Sequence, residues 1–239
     1  MDRIEIERSV FFIYSVYPLL SAAILYFGIR EIRRSLPGWK RADFIALGAA
    51  GLVSILWLVF NSGQISEFWA PGMQNWKFEY IGIAISRGED VVYKLIHHHG
   101  ASFIMVPFIW LFGPHHSSII YMNTVLMVLL AFFVFMAARE TFSSWRAGLL
   151  AGAVLPFYDP LLALWPAGGE YLAALTTGSA ALWLMLKHIR EKNRQSFIMA
   201  ALVLQLASMM RVELLFLWVA WFIAAFMQEQ QFHTHHAGQ

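Results

Sequence analysis

The chain has 239 residues, 59% of them hydrophobic and only 13% charged, about half the charged share of an ordinary soluble domain. A formal net charge of +2 is too small to argue for nucleic acid, and the lack of any cysteine excludes disulfides, thiolate metal sites and cysteine nucleophiles. Run length sets the class: a bilayer core about 30 Å thick needs about 20 apolar residues in a helix, and several uncharged runs come near that.

The expected fold is all-α, a polytopic transmembrane helix bundle of about seven spans with an extracytoplasmic first loop carrying interfacial helices. The first span runs from Val10 to Ile29. Pro18 inside it is tolerable where neighbouring helices satisfy the freed carbonyl, and no small-residue cleavage site follows, so it reads as an uncleaved helix. It ends in Arg30, Arg33, Arg34, Lys40 and Arg41, which by the positive-inside rule places that loop in the cytoplasm and the N-terminus outside. A second span, Phe44 to Phe60, returns outward.

From Asn61 to Gly100 the chain turns polar, charged and aromatic, with Trp69, Trp76, Phe78, Tyr80 and Tyr93. That composition fits a segment at headgroup level, and Phe78–Ser86 has helical character along the interface. Ala101–Gly113 is apolar but too short to span. The next helix, Ser118 to Met136, then runs inward and delivers Arg139 and Arg146 to the cytoplasm. A helix from Gly148 leads out, and Tyr171–Leu186 leads back, delivering Lys187, Arg190, Lys192 and Arg194. Phe197–Met210 goes out and Leu214–Phe226 returns. This map puts most of the 17 Lys and Arg inside; a spanning Ala101–Gly113 would flip every later loop. The expected organisation is an extra transmembrane helix and basic loop over 1–42, a membrane domain over 43–228 with its outer loop at 61–100, and a disordered tail over 229–239. The expected location is the cell (inner or plasma) membrane.

On this map the polar groups near lipid gather on the extracytoplasmic side: Glu67, Glu79, Glu89, Asp90, His97, His98, His99, Asp159, Glu170, Arg211 and Glu213. Charges at membrane depth cost about 2.5–3.5 kcal/mol each on insertion scales, so they tend to be paired or functional. Arg211 and Glu213 form the hairpin between the last two spans, with local pairing or snorkelling as the plain alternative. Glu170 follows Pro-Ala-Gly-Gly and opens a helix, where a carboxylate suits the positive N-terminus; that role alone would explain it. Adjacent histidines on a helix point about 100° apart, so His97–His99 could bring at most two ligands to one divalent ion. Hydrogen bonding to headgroups or a phosphate is the preferred reading, and no cofactor is expected. Phosphate-binding glycine loops, serine nucleophile elbows and HExxH motifs are absent from the sequence.

Several short elements follow one another in a familiar order. They are Gln74-Asn75-Trp76-Lys77-Phe78 with Gly82, Ile85 and Gly88; His97-His98-His99-Gly100; Leu111-Phe112-Gly113; and Ala138-Arg139-Glu140-Thr141-Phe142. Arg146-Ala147-Gly148-Leu149-Leu150-Ala151 and Pro156 come next, then Glu170 and Arg211. From residue 44 to 227 this resembles the N-terminal half of the GT-C-type membrane glycosyltransferases, the group of protein mannosyltransferases and aminoarabinose transferases. The resemblance implies transfer of a sugar from a polyprenyl-phosphate donor on the extracytoplasmic face. It also implies a first-loop carboxylate that takes the acceptor's proton and donors that hold the departing lipid phosphate.

The family's Asp-Glu pair falls on Gln74 and Asn75, amides that cannot act as bases, so Glu79 or Glu67 becomes the candidate base. Lys94, His97, His98, His99 and Arg211 become the candidate phosphate contacts, with Gln74, Asn75 and Glu170 among the substrate-binding residues. The implied partners are membrane lipid and a polyprenyl-phosphate-linked sugar. The alternative is a non-catalytic GT-C-like membrane protein that binds lipid phosphate or a partner membrane subunit. An unrelated transporter ranks last, because its usual inverted repeats are not evident. Family enzymes carry further helices, so a reading frame continuing past Gln239 is one expectation and a short, partner-dependent chain the other.

Overall fold

The computed structural model describes residues 26, 28–34, 36–60, 75–88, 100–158, 169–214, 216–219, 221 and 223. Among them the regular structure is helical, with no strand. The α-helices are α1 (Arg41–Phe60), α2 (Asn75–Ser86), α3 (Gly100–Phe112), α4 (His116–Phe142), α5 (Trp145–Val154), α6 (Gly169–Glu191) and α7 (Arg194–Met210). Residues 28–34 are helical as well, and single 3-10 turns sit at Leu36–Gly38, Leu155–Phe157 and Val212–Leu214.

Three helices, α1, α4 and α6, are long and apolar enough to cross a membrane, which marks the chain as a membrane protein. The apolar stretch of α1 is 28% buried and that of α6 is 61% buried, so α1 flanks the bundle and α6 forms its centre. Seven spans were expected; three reach that length among the described residues. The 17 residues of α7 rise about 26 Å, short of a core about 30 Å thick. Helix α5 stops after 10 residues because Pro156 turns the chain into the Leu155–Phe157 3-10 element. Most of the expected first span and nearly half of the last lie outside the described residues.

The bundle has two ends. Helices α1, α5 and α7 start, and α4 and α6 finish, at the basic end. Sharp turns join them there: Ser143, between α4 and α5, and Lys192, between α6 and α7, both take left-handed φ, of 50° and 55°. The Asn193 side chain then caps α7 by accepting from Gln195 N at 2.9 Å. At the opposite end Leu58, Met122, Leu126, Leu172 and Met210 form one core cluster. The short helix α3 packs into that cluster through Ala101, Met105 and Ile109, and so stays at that end. Gly82 lets α2 lie close on α3, since a Cβ there would meet Ile109 and Met105 side chains at 3.3 Å. The other half of the bundle is filled by Phe135, Met136, Trp183, Leu184 and Met199.

Close approach also decides the α4–α5 contact. A Cβ on Gly148 would lie 3.0 Å from the Phe135 ring and from the Phe135 carbonyl oxygen, and the backbone atom cannot move aside. Gly148→Ala is therefore expected to cost about 1–3 kcal/mol by overpacking, although alanine is the better helix former. The loss of folded fraction on heating in detergent measures this.

The basic end shows a contact that the sequence did not reveal. Helix α6 continues past Leu186, and Lys187 is buried, its Nζ donating to Glu31 Oε2 at 2.7 Å and to the Glu31 carbonyl at 3.3 Å. Ser196 donates to the same carboxylate at 3.4 Å, Asn193 at 3.5 Å and Arg34 at 3.5 Å. Beside this network Arg139 Nε donates to Asp43 Oδ1 at 2.5 Å, and Arg190 Nη1 lies 2.7 Å from Glu140 Oε2. Asp43 also accepts from Lys40 N at 2.7 Å, an acid in the first turn reaching back to the residue before the helix.

Candidate site at the end opposite the basic loops

Three charged residues singled out in the second half of the chain, Glu170, Arg211 and Glu213, meet at the far end of the bundle, while Asp159 lies outside the described residues. Glu170 stands in the first turn of α6, where the unpaired N–H groups favour a carboxylate. Gly169 keeps that start tight against α4: a Cβ there would meet Met122 Cε at 3.0 Å. Helix α7 ends at Met210, and Arg211 follows in extended conformation, with φ −145° and ψ 119°. Its backbone N–H still donates to Ala207 at 3.0 Å and its carbonyl accepts from Leu214 N at 3.1 Å.

This turn carries the guanidinium back over the start of α6. Arg211 Nη1 donates to Glu170 Oε1, Nη2 donates to Glu213 Oε1 at 3.0 Å, and the guanidinium lies 3.9 Å from the centroid of the Tyr171 ring. Glu170 is buried and Arg211 partly so, whereas the Glu213 side chain is 59% exposed. Burial works against the charge of Arg211, but the hydrogen bond and charge of Glu170, with smaller contributions from Tyr171 and Glu213, more than offset it and raise its pKa further. Arg211 thus keeps its charge, with one fixed carboxylate partner inside and one exchangeable partner outside.

An apolar groove of about 410 Å³ begins next to this cluster. Ala174, one turn below Glu170, and Leu214, three residues after Arg211, line its upper part. It continues along α6 past Gly178 and Met185 to Ile189, with Leu217 and Trp221 on the opposite wall. From Ala174 to Ile189 the helix rises about 22 Å. Gly178 opens the middle of the groove: among the described residues, a Cβ there would meet only Leu214 Cδ1, at 3.8 Å. An arginine close to the end of a long apolar groove can hold an anionic head while the groove holds a chain.

Of the candidate residues, the structure brings Glu170 and Arg211 together. Asn75 and Glu79 fall on α2, which packs on α3 and touches α6, at the same end of the bundle. Glu67, Gln74, Lys94, His97, His98 and His99 lie outside the described residues. Among the described residues no group of three His, Asp or Glu could hold a metal ion. Tyr171 and the groove were not anticipated. The spacing Ala174, Gly178, Leu182 with small residues interleaved was their signal, and it is hard to tell from any other lipid-facing stripe. The chain matches no protein-family model, no curated protein and no solved structure.

Proposed function

We propose that this chain is a membrane glycosyltransferase-like protein that binds a polyprenyl-phosphate-linked sugar at the extracytoplasmic end of its helix bundle. What supports this reading is that the Arg211 cluster lies one helical turn from Ala174 and three residues from Leu214, which line one end of the apolar groove along α6. The isoprenoid chain lies in the groove, and the lipid phosphate takes the place of Glu213 on Arg211 Nη2, since that carboxylate is exposed and already at the rim. Glu170 stays as the inner partner, holding the guanidinium in position. Glu79, on the neighbouring helix α2, is the candidate base for the acceptor hydroxyl, on the strength of the resemblance described above.

The test is photolabelling of the purified chain with a photoreactive long-chain isoprenyl phosphate. Labelling is expected on the groove-lining residues of α6, and Gly178→Phe, which fills the groove, is expected to reduce it roughly tenfold. Failure of the unaltered chain to label would sink the lipid-phosphate reading. Transfer activity separates the two forms of the proposal: Glu79→Gln should abolish sugar transfer while leaving expression and labelling intact. A second reading, a non-catalytic lipid-phosphate or partner-binding protein, is favoured by the amides at Gln74 and Asn75; detectable turnover by the purified chain rules it out.

A further inference from the structure

The basic end carries a surface that the proposed function does not use. Three carboxylates there, Glu31, Asp43 and Glu140, are turned inward and engaged by Lys187, Arg139 and Arg190. They neutralise Lys187, Arg139 and Arg190 and leave the rest of the rim positive. Arg30, Arg33, Lys40, Arg41, Arg146 and Arg194 are exposed at this end, and the exposed carboxylate among the described residues there is Glu191.

Three of these cations share one arrangement. Arg41, Arg146 and Arg194 each lie at the start of a helix, four residues before an exposed large apolar side chain: Ile45, Leu150 and Ile198. Residues four apart stand on the same helix face, so each arginine is on the lipid-facing side, about 6 Å beyond the apolar band. With the apolar residues in the hydrocarbon, that offset sets the guanidinium groups at headgroup depth. Trp145, a residue type at home at this depth, lies with its ring 5.4 Å from the Arg146 guanidinium. The arrangement does not serve the helices themselves, because a cation near a helix N-terminus opposes the macrodipole. Among the described residues no carboxylate is paired with any of the three arginines, and each stands ready for an anion beside a hydrocarbon chain that covers the apolar residue.

We propose that the basic end is a binding surface for anionic phospholipid headgroups of the leaflet it faces. Arg41, Arg146 and Arg194 each take a headgroup phosphate, and Ile45, Leu150 and Ile198 contact the lipid's chains.

The experiment uses the full chain in detergent with spin-labelled phosphatidylglycerol and phosphatidylcholine as probes, read as the motionally restricted fraction. Phosphatidylglycerol is expected to associate more strongly, and each Arg→Gln substitution is expected to weaken it about fivefold with phosphatidylcholine unchanged. The preference should fade toward 1 M salt, where screening acts over about 3 Å. Equal association of the two lipids by the unaltered chain overturns the proposal. So does a preference that survives the triple substitution R41Q/R146Q/R194Q, or one abolished by inorganic phosphate at constant ionic strength, which would mark a site for the free ion. If the triple variant does not fold, the single Arg→Gln and Arg→Lys variants decide: retention by lysine and loss by glutamine supports the surface, and equal behaviour overturns it.

Discussion

Replacing Lys187 by methionine is expected to destabilise the folded chain by about 3–5 kcal/mol, the cost of removing one partner from a buried ion pair. Glu31 is fully buried, and among the contacts from described residues that of Lys187 is the shortest, at 2.7 Å; those from Ser196, Asn193 and Arg34 are at 3.4–3.5 Å. Methionine fits the space left by the lysine stem but leaves the carboxylate without its main counter-charge. The double substitution Glu31→Leu with Lys187→Met removes both charges, and a well-packed apolar pair is often neutral or better than the ion pair it replaces. It should therefore recover most of the loss. The readout is the fraction remaining monodisperse after stepwise heating in detergent. A double variant no more stable than the single one would show that the damage comes from packing rather than from a stranded charge.

Arg211→Gln is expected to act on both stability and binding. It leaves the buried carboxylate of Glu170 without its guanidinium, a loss of about 2–3 kcal/mol for a charge-assisted hydrogen bond on a buried acceptor. The effect is smaller than at Lys187 because the arginine is partly exposed. Adding Glu170→Gln should restore stability, since two neutral amides can pair across the same gap, but it should not restore labelling by the isoprenyl phosphate. Arg211→Lys keeps a charge yet loses the planar fork that reaches Glu170 and Glu213 together, so intermediate labelling is expected. Recovery of labelling in the doubly neutral variant would remove Arg211 from the headgroup site and leave it a purely structural role.

The parts of the fold that hydropathy dictates could be read from the sequence. The long apolar run of α4 and the short one of α3 were both visible, because membrane thickness sets a length that a run either reaches or does not. The burial of Lys187 could not be read, for a physical reason. A lysine inside Leu-Met-Leu-Lys-His-Ile-Arg reads as the membrane edge unless an acid neutralises it, and that acid, Glu31, is 156 residues away. The same limit applied to the site. Glu170 was recognisable as a helix start and Arg211 as a hairpin cation, but their pairing across 41 residues depends on how α6 and α7 dock. Pro156 could have shortened α5 beforehand, since a proline ends the helix ahead of it. The shape of the groove could not be read, because Gly178 and Ala174 make room only in relation to the far wall at Leu214 and Leu217.

The separation between Glu31 and Lys187 also orders the assembly of the protein. Ribosomes add about 5–20 residues per second, so the carboxylate is made roughly 8–30 s before its partner exists. During that interval burying residue 31 would strand its charge, and the segment that bears it must wait in water or at the headgroups with Arg34 at hand. Docking of residues 28–34 onto α6 and α7 is thus a late event in biogenesis, although these residues are synthesised before either helix. A nascent chain arrested before residue 187 should leave this segment open to protease, and one released after α7 should protect it.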